Sequence, residues 1–125
     1  MARQDRVQAK LQSVYLFNFR SCLAWKLDSW REWHREGKED TWGMFTPHNV
    51  LAACHKQAWA RASKDVADAY GRQVLWTISE HEQQLFDLAV ANVAPAEWRP
   101  DFIGKPPPED TFQVQMRELR RRDKG

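Results

Sequence analysis

Apolar residues in the first third of the chain recur every three or four positions, the spacing of one face of an α-helix. Residues 4–35 contain neither glycine nor proline, so we expect one long helix or two abutting helices there. Two neighbouring apolar stripes run along this segment, one made of Val7, Leu11, Val14, Cys22 and Trp25 and the other of Leu16, Phe19, Leu23, Leu27 and Trp30. Between Tyr15 and Phe19 the segment is apolar almost all round, which predicts contact there with a second copy or another protein.

A second helix is predicted over residues 46–70. Thr46 is a favourable N-cap and Pro47 suits the first helical position. Gly71 can supply the left-handed residue of a C-cap. The inner face of this helix is rich in alanine, which predicts close packing of helices; it contains Leu51, Cys54, Ala58, Ala62, Val66 and Ala69.

Residues 72–93 carry a third helical stripe, made of Leu75, Ile78, Leu85, Phe86, Ala89 and Val93. Taken alone, residues 74–78 could form a short strand, but a lone strand would have no partner. Ser79 and Glu82 form a capping-box pattern, which could start a fresh helix at Glu80. We therefore expect helix throughout, with a kink near Ser79.

After Pro95 the chain becomes rich in proline, and we expect irregular backbone as far as Pro108, held by Trp98, Phe102 and Ile103. A short helix should begin near Glu109, with its apolar residues at Phe112, Met116 and Leu119. The predicted fold is all-α: a small bundle of three main helices, the first one long, with a Pro-rich crossover and a short C-terminal helix. Residues 1–94 would form the bundle, and residues 95–125 would pack on or beside it.

Composition narrows the class of protein. A chain of 125 residues that is 42% hydrophobic and 29% charged fits one globular domain. The net charge of +2 does not make nucleic acid the default partner. The sequence contains no recognisable secretory signal and no apolar run of the roughly 20 residues that a membrane span requires. We therefore expect a soluble cytoplasmic protein with no membrane partner, in which Cys22 and Cys54 are reduced and buried.

No pattern in the sequence predicts a catalytic, metal or cofactor site. His81-Glu82 begins a zinc-protease motif, but residue 85, where the second histidine would stand, is leucine. The residues Cys22, Cys54, His55 and His81 lack the spacing of zinc ligands, so a hydrogen-bonded histidine beside buried thiols is favoured. The five glycines stand apart, which rules out a glycine-rich phosphate loop. We expect no catalytic residue, no metal and no cofactor.

Seven tryptophans in so short a chain are more than a small core can bury. They could stack nucleic-acid bases or cover a core short of leucine, but exposed tryptophan beside arginine is typical of protein–protein hot spots. The predicted interface lies around the first helix connection and contains Trp30, Arg31, Trp33, Arg35, Trp42, Met44 and Phe45. The sequence thus favours a non-enzymatic regulatory, assembly or inhibitor protein, of the kind found among accessory proteins of phages and plasmids. Another protein would be its partner, and homo-oligomers are also expected.

A nucleic-acid-binding regulator is the alternative. Its phosphate contacts would come from the basic C-terminus, which contains Arg117, Arg120, Arg121, Arg122 and Lys124, with further cations at the N-terminus. Acidic residues lie among these cations, and no recognition helix is evident. Nucleic acid is therefore the second choice.

Overall fold

The computed structural model describes the backbone of residues 3–37, 46–109 and 111–124, and the side chains of those residues except 111–113 and 124. Within these ranges all regular secondary structure is helical, which confirms the all-α prediction. The α-helices are α1 (Arg3–Arg35), α2 (Pro47–Tyr70), α3 (Leu75–Ile78), α4 (Glu82–Asn92), α5 (Arg99–Phe102) and α6 (Thr111–Lys124). Single 3₁₀ turns at Arg72–Val74, Ser79–His81 and Ala96–Trp98 precede α3, α4 and α5.

Helix α1 is one continuous helix, because nothing in its sequence interrupts the backbone hydrogen bonds. It stops before Gly37, whose φ of +75° favours glycine and whose N–H donates to the carbonyl of His34 over 3.0 Å. Its buried ridge has a four-residue period and consists of Val7, Leu11, Tyr15, Phe19 and Leu23, with Cys22 beside it.

This ridge corrects two expectations about α1. Trp25 was placed on an inner stripe but is 67% exposed, because a residue two positions after Leu23 points about 200° away from it. Tyr15 and Phe19 are fully buried in the chain's own core, whereas Phe17 is exposed. Of the region predicted to be apolar all round, only one side therefore remains open to a second molecule.

The N-terminal end of α2 follows the predicted cap, whereas Gly71 ends the helix without the predicted left-handed conformation. Thr46 has an extended backbone, and its hydroxyl accepts a hydrogen bond from the N–H of Asn49 over 3.2 Å. The N–H of Gly71 donates to the carbonyl of Ala67 over 2.8 Å. The φ of Gly71 is +95° as glycine allows, but its ψ of 154° is extended and not left-handed helical. Ala69, predicted to face inward, is exposed.

Residues 74–78 are helical, so the strand alternative is wrong. The predicted kink is confirmed as the 3₁₀ turn between α3 and α4. The capping box is wrong: Ser79 makes no side-chain cap, and Glu82 hydrogen-bonds to His55 instead. The Glu82 side chain thus bonds to a residue of another helix, His55, and not to the backbone near Ser79.

The segment after Pro95 is less irregular than predicted, since residues 96–102 form a 3₁₀ turn followed by α5. Pro100 lies in the first turn of α5, where a missing N–H costs nothing. Trp98 and Phe102 pack against the core as expected, but Ile103 is exposed. Residues 105–109 are irregular, so Glu109 is not in the C-terminal helix, which is described over Thr111–Lys124.

Helices α1 and α2 pack as an antiparallel pair. The Arg3 guanidinium donates to the carbonyl of Tyr70 over 2.6 Å, joining the start of α1 to the end of α2. Helix α4 packs on α1, with the rings of Phe19 and Phe86 edge to face at 6.4 Å. None of the described helices is apolar over a length that could cross a bilayer.

Candidate functional site

A polar network crosses the core and joins three helices. The hydroxyl of Tyr15, on α1, lies 2.7 Å from Nδ1 of His55, on α2. Nε2 of the same imidazole lies 2.9 Å from Oε1 of Glu82, the first residue of α4. Tyr15 and His55 are buried, and Glu82 is partly exposed at one end of the network.

Burial fixes where the protons of this network lie. It raises the pKa of Tyr15 far above its ordinary value, with the nearby Glu82 acting in the same direction, so the hydroxyl keeps its proton. Burial also lowers the pKa of His55, although the hydrogen bond to Glu82 acts the other way. A neutral imidazole fits both contacts: Tyr15 donates to Nδ1, and Nε2–H donates to the carboxylate.

Aromatic rings enclose His55. The ring of Trp59 stacks on the imidazole with centroids 6.3 Å apart and planes 19° apart, and Phe86 meets it edge to face at 5.5 Å. Both imidazole nitrogens are already bonded, so His55 presents no free nitrogen to a substrate. The network connects α1, α2 and α4.

The sequence did not predict this network, because its members are 40 and 27 residues apart. The available signal was polar residues at core positions: Tyr15 is four residues from both Leu11 and Phe19 on the buried ridge of α1. Such residues need hydrogen-bond partners, and that requirement could have directed a search for them.

The loose Cys/His cluster considered from the sequence does not form one site. The buried thiols of Cys22 and Cys54 are hydrogen-bonded to each other, which raises the pKa of Cys54 and lowers that of Cys22 to about 7. His55 belongs to the network above, and Nε2 of His81 lies 3.7 Å from Oε1 of Glu80. In the part of the chain that the structure describes, no three metal-ligating side chains come together.

The last two turns of α1, residues 28–35, contain four of the predicted interface residues and no buried residue. Trp30 and Trp33 are each 39% exposed. Arg31 and Arg35 are exposed and pair within the helix, Arg31 with Asp28 at 3.5 Å and Arg35 with Glu32 at 3.4 Å. The other predicted interface residues, Trp42, Met44 and Phe45, lie outside the described residues.

Trp30 and Trp33 continue the inner side of α1 beyond its buried part. Trp30 comes seven residues after the buried Leu23, which places it two turns further along the same face. Its ring stacks on His34 at 5.3 Å and 13°. We call the end of α1 that carries Trp30 and Trp33 on one side, with Arg31 and Arg35 on its other sides, the Trp30–Trp33 surface.

The basic residues of the alternative prediction lie on α6. Arg117 forms an ion pair with Glu109, Nη2 to Oε2 at 2.7 Å, which lowers the pKa of that carboxyl. Arg120, Arg121 and Arg122 are exposed and have no ion pair with any side chain in the described ranges. Lys124 is the last residue of α6, and its side chain is not among those that the structure describes.

A groove of about 1040 Å³ lies between α2 and residues 79–83, where the polar network reaches the surface. Pro107, Pro108 and Glu109 form one edge of it. That edge is held at both ends, because Gln83 donates to the carbonyl of Lys105 over 2.6 Å and Nε2 of His48 donates to the carbonyl of Glu109 over 2.6 Å.

Comparisons with protein-family models, with curated proteins and with solved structures find no match to this chain. The inference of function therefore depends on the surfaces described above. Two of them differ from an ordinary hydrated surface. One is the Trp30–Trp33 surface. The other is the groove beside α2, whose edge at Pro107, Pro108 and Glu109 lies just before α6 in the sequence.

Proposed function

We propose that this chain is a non-enzymatic protein-binding protein of regulatory, assembly or inhibitor type. Its partner binds the Trp30–Trp33 surface. The supporting observation is that Trp30 and Trp33 are each 39% exposed on the continuation of a helix face that is buried further upstream. A helix face with this pattern is suited to pack against a second surface of protein.

The chemistry of the surface fits such a partner. A tryptophan side chain buries about 150–250 Å² when it is fully covered, so two of them supply the anchors of an interface. Among the described residues, Arg31 and Arg35 form ion pairs with exposed carboxylates of α1, which are worth about 0.3–0.5 kcal/mol each. Their guanidinium groups can therefore exchange these carboxylates for carboxylates of the partner at little cost.

Two observations favour binding over catalysis. The Tyr15 hydroxyl that occupies Nδ1 of His55 is fully buried, so this nitrogen is not placed to take a proton from a substrate. Cys22 and Cys54 are free but buried, so neither thiol is placed as an accessible nucleophile. The polar groups of the core contribute to the fold that holds α1 in place.

Nucleic-acid binding by α6 remains the alternative. Arg117 is already paired with Glu109, and Glu118 and Asp123 lie among the arginines of α6. These acids reduce the local positive potential that phosphate contacts need. Binding of duplex or single-stranded nucleic acid that falls steeply with salt and requires Arg120, Arg121 and Arg122 would favour this alternative.

The test of the proposed function starts with affinity capture of the partner and continues with binding isotherms of single variants. We expect Trp30→Ala or Trp33→Ala to weaken binding by about 2 kcal/mol or more, the level of an interface anchor. The free energy of unfolding should change by only about 0.5 kcal/mol, since both residues lie beyond the buried ridge. Trp42→Ala is predicted to behave in the same way.

Trp76→Ala is the control, because Trp76 is 87% exposed and lies on α3, a different helix from the Trp30–Trp33 surface. Its binding should equal that of the wild type. If Trp30→Ala melts far below the wild type while its folded fraction binds normally, these tryptophans are core residues and the proposal is wrong. Equal losses of binding for Trp76→Ala and Trp30→Ala would also contradict it.

A further inference from the structure

Helix α6 has an exposed apolar side. Met116 is 38% exposed and Leu119 is 51% exposed, three residues apart on one side of the helix. Arg120 and Arg122 lie about 100° and 60° to either side of Leu119, so cations flank this apolar side. A basic amphipathic helix of this kind fits an apolar groove with acidic margins.

The groove beside α2 has that complementary character. Small and ring side chains give it an apolar surface, formed by Ala52, Ala53, Trp59, Ala60, Pro107 and Pro108. Its charged lining contains three carboxylates, those of Glu80, Glu82 and Glu109, against the single cation Lys56 among the described residues. The 2.7 Å ion pair between Arg117 and Glu109 joins the basic helix to this acidic edge within one chain.

We infer that the groove receives α6 of a second copy of this chain, and that two copies exchange these helices reciprocally. Met116 and Leu119 would lie against the alanines of the groove, with Arg120 and Arg122 facing its carboxylates. One contact in each direction gives a closed twofold dimer, in which each copy is both donor and receiver. The inference is independent of the Trp30–Trp33 surface.

The second copy is favoured over the chain's own α6 by the way the helix is attached. Glu109 belongs to the edge of the groove and lies close before α6 (Thr111–Lys124) in the chain. His48 holds the carbonyl of Glu109, so this edge is fixed where the helix departs. Among the described residues, none of the chain's own α6 lines the groove, and Met116 and Leu119 stay exposed, so the groove is open to a helix from another copy.

The experiment measures dimer dissociation by sedimentation equilibrium on the full chain. We expect the wild type to form a species of twice the chain mass of 14.8 kDa at micromolar concentration. Leu119→Glu on α6 and Ala53→Arg in the groove should each weaken the dimer by at least about tenfold. Circular dichroism shows whether each variant is folded, and Glu80→Arg, at an exposed position of the groove, replaces Ala53→Arg if that variant is not.

Mixing the two variants tests the exchange directly. Leu119→Glu keeps its groove and Ala53→Arg keeps its α6, so the mixed dimer retains one intact contact and should be tighter than either variant alone. Trp76→Ala is the control, since Trp76 is exposed but belongs to neither surface and should leave the dimer unchanged. A wild type that stays monomeric, a dimer insensitive to Leu119→Glu, or a mixture no tighter than its components would overturn the inference.

Discussion

Among individual residues, Tyr15, His55 and Glu82 have the largest effect on how the core must be built. A hydroxyl or an imidazole inside an apolar core is destabilising unless it is hydrogen-bonded. Here the Tyr15 hydroxyl hydrogen-bonds to one nitrogen of His55, and the other nitrogen hydrogen-bonds to the partly exposed Glu82. The network thereby specifies the register of three helices, because each bond requires a particular pair of turns to face each other.

Removing the Tyr15 hydroxyl should expose the cost of an unpaired group. Tyr15→Phe leaves Nδ1 of His55 buried without a donor, so we expect the free energy of unfolding to fall by about 1–3 kcal/mol in chemical denaturation. Glu82→Gln is the matched control, because its amide oxygen can still accept from Nε2. The free energy of unfolding should fall clearly less in Glu82→Gln than in Glu82→Ala. A fully stable Tyr15→Phe would show that the hydroxyl is not needed to satisfy His55.

Protonation of His55 should make the fold sensitive to mild acid. Its pKa is lower in the folded chain than its ordinary value of 6.5, chiefly because of burial. As the pH falls through about 6.5, the unfolded chain takes up this proton first, so the free energy of unfolding decreases until the folded chain is protonated as well.

Denaturation at pH 7.5, 6.5 and 5.5 measures this effect. The slope of stability against pH should be shallower in His55→Gln, which cannot titrate at this position. Equal slopes in the two proteins would assign the acid sensitivity to other groups.

Sequence patterns cannot reveal such a network residue by residue. Ser79 and Glu82 match a local cap, and local reasoning has no means to prefer His55, which is 27 residues away. Trp59 shows the same limit: it is off the alanine-rich stripe of α2, yet its ring packs on His55 and Tyr15. Side-chain partners are set by tertiary packing, and they become visible only when the helices are placed.

For whole helices, prediction from the sequence is much more successful. The bounds of α1 and α2 follow from the absence of breakers and from the Thr46 and Gly71 caps, because these act within one turn. Which face of α1 is buried was harder to predict, since two apolar stripes compete and only the neighbouring helices decide between them. The helical turns after Pro95 were missed because the prolines of this segment were taken only as breakers, although Pro100 lies in the first turn of a helix as Pro47 does.

Uneven burial along α1 should give uneven protection of its amides from hydrogen exchange. Residues 11–23 contain the buried ridge, whereas residues 28–35 have no buried side chain. We expect amides of the second range to exchange orders of magnitude faster than those of the first, through local fraying of the helix end. Addition of the captured partner should slow exchange in residues 28–35 selectively. Uniform protection along α1 without a partner would contradict this picture.

At the scale of the molecule, the two proposed contacts lie on different elements and can be separated by experiment. The Trp30–Trp33 surface is at the end of α1, while the exchange of α6 uses the groove beside α2. Trp30→Ala should therefore leave the dimer intact, and Leu119→Glu should leave the Trp30–Trp33 surface unchanged. The all-α class was predictable from periodicity, but the groove was not, because it is formed by residues from three separate parts of the chain.

The Tyr15–His55–Glu82 network also constrains how this protein can evolve. Losing one member leaves a buried partner unsatisfied, whereas replacing all three by apolar residues of similar shape can be nearly neutral. Relatives should therefore keep the trio or lose it together, so that positions 15, 55 and 82 covary although they are far apart in sequence. The easiest first step is at Glu82, the member that water already reaches, because solvent can take over its bond to His55 while the other two positions change.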